Sequence, residues 1–223
     1  MVVYSNDFGT AVGAELSSTG GALGLDTTPT SRSFLGRADG NTTLGLNNET
    51  VTLTLTGLAP HSLATLSLNL FIINSWDGND TGGVGPDRWQ AGHSGSLTNL
   101  QNTTFSINSP QCFPSDCPAS NPLRTGADET ANSLGYPVST FFGDSVYNLS
   151  YSFAHTGSTL TASFTGLGLQ AIGDESWGID NLLVEVTPLV GGQQVPEPAT
   201  LALLGIGLAG LGALRRRRLT YQK

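Results

Sequence analysis

The sequence predicts an all-β fold: an antiparallel β-sandwich of jelly-roll type over residues 1–188, then a linker (189–195) and one C-terminal transmembrane helix. Three observations predict it. Apolar and hydroxyl residues alternate with a period of two along several segments, the mark of half-buried strands. Only 12% of residues are charged, while Gly, Ser, Thr and Asn are abundant, which suits short strands joined by turns better than helices with ion-paired faces. No segment of the body sustains a helical period, whereas Ala199 to Leu214 is sixteen residues without a charge.

Val3-Tyr4-Ser5-Asn6-Asp7-Phe8 reads as the first strand. In Val51-Thr52-Leu53-Thr54-Leu55-Thr56 the alternation is strict, placing Val51, Leu53 and Leu55 on one sheet face and the threonines on the other until Gly57 ends the run. Leu66, Leu68, Leu70 and Ile72 continue the pattern after Ala59-Pro60-His61, predicting a long second strand paired antiparallel with the first. Further strands are expected over 103–108, 146–153, 160–165 and 179–187. Two packed sheets are the natural way to bury such faces. Asp77 to Asn102 and Pro110 to Ser145 are rich in Gly, Pro, Asn and Ser and predict long loops, where function sits on a rigid sandwich. Leu189 to Val195, with Gly191-Gly192-Gln193-Gln194, reads as a flexible linker.

Charge is segregated. Up to Pro198 four arginines, Arg32, Arg37, Arg88 and Arg124, face all 17 carboxylates, and the remaining bases are Arg215 to Arg218 and Lys223. A body this acidic repels nucleic-acid phosphates, which excludes DNA or RNA as partner and leaves cations or neutral glycans. Cys112 and Cys117, in Gln-Cys-Phe-Pro-Ser-Asp-Cys, are expected to clip one loop as a disulfide in an oxidising compartment. Free thiols are the alternative, and a two-ligand metal site lacks a nearby His or Cys to complete it.

The tail has three parts in fixed order: Val195-Pro196-Glu197-Pro198, the apolar run 199–214, and Arg215-Arg216-Arg217-Arg218 within a basic end (215–223). As a helix the run spans roughly 24 Å, slightly short of a hydrocarbon core of about 30 Å, a difference that snorkelling flanks make up. The arginines would stay on the cytoplasmic side and the acidic body outside. This order resembles the PEP-CTERM sorting signal of Gram-negative bacteria, over residues 196–223 and the preceding valine. The resemblance implies export, an inner-membrane intermediate, recognition by an exosortase-type membrane protease and cleavage near Pro196-Glu197-Pro198. It also implies release to the cell surface or an exopolysaccharide matrix. Export calls for a leader; Met1 to Phe8 holds no basic region followed by an apolar one, so the true start is expected to lie elsewhere.

Two stretches of the body place an indole beside carboxylates at a strand boundary: Ser75-Trp76-Asp77-Gly78, and Asp174-Glu175-Ser176-Trp177-Gly178-Ile179-Asp180-Asn181. Ser33 to Gly36 and Asp174 to Val186 resemble lectin-like jelly-roll ectodomains, which implies a fold and assigns no residue a role. Calcium is the leading ion, as a structural cofactor, because hard cations need several oxygen donors and Asp77, Asp80, Asp87, Asp174, Glu175 and Asp180 concentrate in these loops. Asp77-x-Asn79-x-Thr81-Gly82 begins like an EF-hand loop but has Arg88 at the twelfth position and a strand before it. Solvated turn carboxylates are the bland alternative. Trp76, Trp89 and Trp177 would form a sugar-stacking platform if exposed, and would close the core if not. Catalytic motifs are missing: there is no Gly-x-Ser-x-Gly, no His-Glu-x-x-His, and the sole lysine is Lys223, so an enzyme is not expected. His61, His93 and His155 are scattered. A glycosidase using two of Asp77, Asp87, Asp174 and Glu175 is one alternative. Ice binding through Thr52, Thr54 and Thr56 is another, although strand propensity alone accounts for three threonines.

Overall fold

The computed structural model describes residues 1–40, 43–130 and 132–189. The linker from residue 190, the predicted transmembrane helix and the basic tail lie outside the described residues. Among the described residues no helix is long and apolar enough to cross a membrane.

Eleven strands are found among the described residues. They are β1 (Val2–Asn6), β2 (Leu16–Ser18), β3 (Leu23–Thr27), β4 (Ser33–Arg37), β5 (Thr50–Thr56), β6 (His61–Asn74), β7 (Arg88–His93), β8 (Gln101–Thr104), β9 (Asp144–Ala154), β10 (Thr159–Leu167) and β11 (Glu175–Pro188). They form two antiparallel sheets. One has the order β3-β4-β11-β6-β9, with β1 also paired to β11; the other has the order β2-β5-β10-β7-β8. The inward alternation builds one core: Val51, Leu53 and Leu55 of β5 and Leu160, Ala162 and Phe164 of β10 share it with Leu66, Leu68, Leu70 and Ile72 of β6 and Ile179 and Val184 of β11.

The expected pairing of β5 with β6 is corrected. β5 lies between β2 and β10, while β6 lies between β11 and β9 in the other sheet. Both strands carry a clean apolar face, and the connection from Gly57 to Pro60 sets those faces opposite each other across the core instead of side by side in one hairpin. The expected loop over 77–102 is also corrected: it contains β7, which turns only Trp89 and Ala91 inward, too few to register as alternation. The strand expected at 103–108 is β8 at Gln101–Thr104, and Phe105 and Ile107 enter the core from irregular chain.

The long connection from β8 to β9 is closed internally by the bridge Gln111–Asn121 and by a disulfide between Cys112 and Cys117, whose Cα atoms are 5.2 Å apart, and Glu129 bridges it to Val146 of β9. Its Leu134 and Tyr136 cover Phe34, Phe71, Ile73 and Val146, a second small core on the outer face of the six-stranded sheet. That cover explains why β6 loses its alternation after Leu70: both of its faces are buried there. β11 runs from Glu175 at one end of the sandwich to Pro188 at the other, where Met1 and Val186 exchange backbone hydrogen bonds of 2.8 Å.

Candidate functional site

Three carboxylates converge where the two sheets meet. Asp77 follows the end of β6, Asp87 immediately precedes β7, and Glu175 opens β11, so both sheets contribute. One oxygen from each lies within 4.8 Å of the others. Asp87 and Glu175 are fully enclosed and Asp77 is 9% exposed. The Asp77 N–H donates to the Asp87 carboxylate, and the Asp87 N–H returns a 3.0 Å bond to the Gly78 carbonyl. Asp77 Oδ1 accepts from Asn108 Nδ2 at 2.7 Å. Glu175 Oε2 accepts from the Gln170 N–H at 2.5 Å. With its carboxamide nitrogen turned toward the acids, Gln170 also donates to Glu175 Oε1 at 3.0 Å and Asp174 Oδ2 at 3.1 Å.

Burial, followed by the repulsion of neighbouring acids, pushes the Asp87 carboxyl up to about 7 and Glu175 up to about 8. The Asp87 and Glu175 carboxyls are within hydrogen-bonding reach of each other, yet Asp87 Oδ1 is enclosed and has no hydrogen-bond partner. The ion pairs formed by the described residues, Arg32 with Glu129 and Asp180 and Arg37 with Glu49, all lie elsewhere.

Above the cluster opens a cleft of about 440 Å³. Asp77, Asp80, Asp174, Asn108 and Gln170 supply its polar wall, and Phe141, 61% exposed, stands on its apolar side. Asp174 is held by Ser75 Oγ, which donates to its Oδ1 at 2.7 Å. Asp80 caps its own turn, accepting from the Gly82 N–H at 2.6 Å. Of the six acids expected at a metal, three therefore meet, two line the cleft, and Asp180 is elsewhere. Along β11 the side chains of Glu175, Trp177 and Ile179 turn inward, so parity sends Asp180 to the outer face, where its Oδ2 lies 4.0 Å from Arg32.

The sugar-stacking platform of tryptophans is corrected: Trp76, Trp89 and Trp177 are all fully buried. Trp76 Nε1 donates to the Ser176 carbonyl at 2.8 Å, Trp177 Nε1 donates to the Asn47 carbonyl at 2.5 Å, and Trp89 packs edge-on to Trp177 with ring centroids 4.9 Å apart. Large rings at strand ends close the core because that is where their area is removed from water. Asn108, Gln170 and Phe141 went unnoticed in the sequence. The aromatic pair Phe141-Phe142 inside a run of Ser, Thr and Gly was the available signal. Two of the scattered histidines also meet, away from the cleft: His61 Nε2 and His155 Nδ1 are 2.7 Å apart.

The C-terminal segment is assigned by its order of parts: Pro-Glu-Pro, an uncharged run and four arginines. Residues 194–218 match the PEP-CTERM protein-sorting motif. The PEP-CTERM match includes Val195 to Pro198 and Arg215 to Arg218, indicates export and sorting to the cell surface, and implies processing by exosortase. No curated protein matches the sequence. Among solved structures, the chain aligns with a family 35 carbohydrate-binding module from Clostridium thermocellum at 10% identity, over 77% of this chain and 92% of that one, with a TM-score of 0.36. The C-terminal CBM6 of LamC, a marine laminarinase from Zobellia galactanivorans, aligns at 9% identity over 82% and 91% with a TM-score of 0.32. A family GH115 4-O-methyl-α-glucuronidase with specificity for decorated arabinogalactans aligns at 7% identity over 84% of this chain, with a TM-score of 0.39; the chain spans 18% of its length.

Proposed function

We propose that the sandwich is the exported payload of the PEP-CTERM signal and binds a glycan of the cell surface or exopolysaccharide matrix in the cleft between Phe141 and the acidic wall. The observation that carries this reading is the presence, in the lining of one cleft, of an exposed aromatic ring, Phe141, together with the hydrogen-bonding side chains of Asp77, Asp80, Asp174, Asn108 and Gln170. Sugar rings offer an apolar face to stack and hydroxyls to pair, and carboxylates and carboxamides accept and donate to those hydroxyls. The role in this reading is binding; Asp87 and Glu175 are enclosed and do not themselves reach a sugar in the cleft.

Binding of the full-length protein to a broad glycan array, then titration of the best ligand, tests the reading. Phe141→Ala is expected to weaken binding about tenfold or more, and Asp174→Asn to weaken it less. Undiminished affinity in Phe141→Ala, or an array without signal, removes the cleft as a glycan site.

A further inference from the structure

We propose that Asp77, Asp87 and Glu175 hold a calcium ion that clasps the two sheets together beneath the cleft. Calcium takes oxygen ligands at roughly 2.3–2.6 Å, so oxygens on opposite sides of one ion stand about 5 Å apart. Three carboxylate oxygens mutually within 4.8 Å fit around a single centre. The donor set is all oxygen, which suits a hard cation and not zinc or copper.

The second, independent observation is Asp87 Oδ1. It belongs to a side chain with no exposure, and among the described residues no N–H reaches it; the group facing Asp87 is the Glu175 carboxyl, which repels it when both are ionised. An enclosed carboxylate oxygen without a partner is costly, and a cation bound at this oxygen removes that cost. Asn108 Oδ1 is likewise enclosed and unpartnered, on the side chain whose nitrogen already touches Asp77, so a turn of its carboxamide offers a fourth oxygen. Asp77, partly open to the cleft, leaves room for water to complete the shell.

The local fold serves this arrangement. Between Asp77 and Asp87 the chain makes a tight excursion that returns on itself, with Gly78 at φ +61° pressed against the Pro110 carbonyl and Ser106, where a Cβ would collide. The excursion leaves from β6 in one sheet and re-enters as β7 in the other, so an ion shared by its two ends and by Glu175 of β11 ties both sheets. Magnesium fits less well, because it keeps several waters in a strict octahedron and two of the three acids here are sealed.

The inference does not depend on glycan binding, and the full-length protein tests it after chelation and desalting. Terbium, a calcium surrogate, is expected to bind about one per chain with emission sensitised by Trp76, the neighbour of Asp77. Calcium is expected to displace it and to raise Tm by roughly 5–10 °C at concentrations about a hundredfold above Kd. Asp87→Asn and Glu175→Gln are expected to lose both the emission and the Tm response, whereas Asp180→Asn keeps them. No saturable terbium emission together with a Tm indifferent to calcium overturns the site, and the wild-type titration decides this even if a variant fails to fold. Retention of both responses in Asp87→Asn overturns the assignment of ligands, and an equal response to magnesium overturns the assignment of the ion. Phe141→Ala should keep the calcium response whatever it does to glycan affinity, so failure of one reading is distinguishable from failure of the other.

Discussion

Asp87 accepts one backbone hydrogen bond, from Asp77, and faces Glu175 with its proton-binding tendency raised by burial. The same pressure acts on Glu175, so the two acids sit at about 7 and about 8 against ordinary values of 3.8 and 4.5. In the calcium-free protein the folded state therefore holds more protons than the unfolded chain between about pH 4 and about pH 8, and stability must fall as pH rises through that window. The stability is fully present below the ordinary carboxylate values and lost above the raised ones. Calorimetry of the chelated protein is expected to show Tm declining from about pH 5 to about pH 8, with calcium flattening the slope; a Tm that climbs over that range would contradict the assigned burial. The acids were legible in the sequence as residue types clustered near Trp76 and Trp177. Their partners were not, because Asp77 meets Glu175 through the pairing of β6 with β11 and Asp87 joins them from the other sheet, and periodicity carries no information on which strands pair or which loops converge. Asp180 was grouped with Glu175 because the expected strand began only at Ile179; β11 in fact begins at Glu175, and its period of two puts Asp180 on the opposite face.

At the scale of elements, the stretch Glu175 to Asn181 is a strand whose residues each answer to a neighbour. Trp177 and Ile179 fill the core, Asp180 meets Arg32, and Asn181 donates to Asn69 Oδ1 at 2.6 Å beside an irregularity in the β11–β6 ladder. Gly178 is required by packing: a Cβ there would overlap the Phe34 ring. Gly178→Ala is expected to destabilise the fold by about 1–3 kcal/mol, read as a lowered midpoint in urea unfolding, because the second core has no room to yield; an unchanged midpoint would mean Phe34 is free to move. β5 and the first half of β6 were legible because their outer faces carry hydroxyls less buried than the core residues between them, as the exposed pair Ser67–Ser150 (3.0 Å) records; β10 was legible from the alternation of residue types although its Ser163 and Thr165 are buried. β2, β3, β4 and β7 were not, since three to six residues with one or two inward side chains do not establish a period.

At the scale of the whole molecule, the sandwich architecture and the PEP-CTERM tail were both readable, the first from alternation and the second from the order of its parts. What the sequence concealed was which strands face each other and therefore where the cleft opens. The course of β11 has a consequence for how the protein works when held. Glu175 and the cleft lie at one end of a strand of 14 residues, about 45 Å long, and Pro188 and Met1 lie at the other. Within the sandwich, the point where the chain leaves β11 toward the sorting motif is therefore remote from the cleft. Glycan affinity is accordingly expected to be the same for chains with and without the C-terminal segment, measured on detergent-solubilised and exosortase-processed protein. A several-fold difference would mean that the tail reaches the far end. Equal affinity would make sorting a choice of address alone, with the molecule competent to engage its ligand from the moment it reaches the outside.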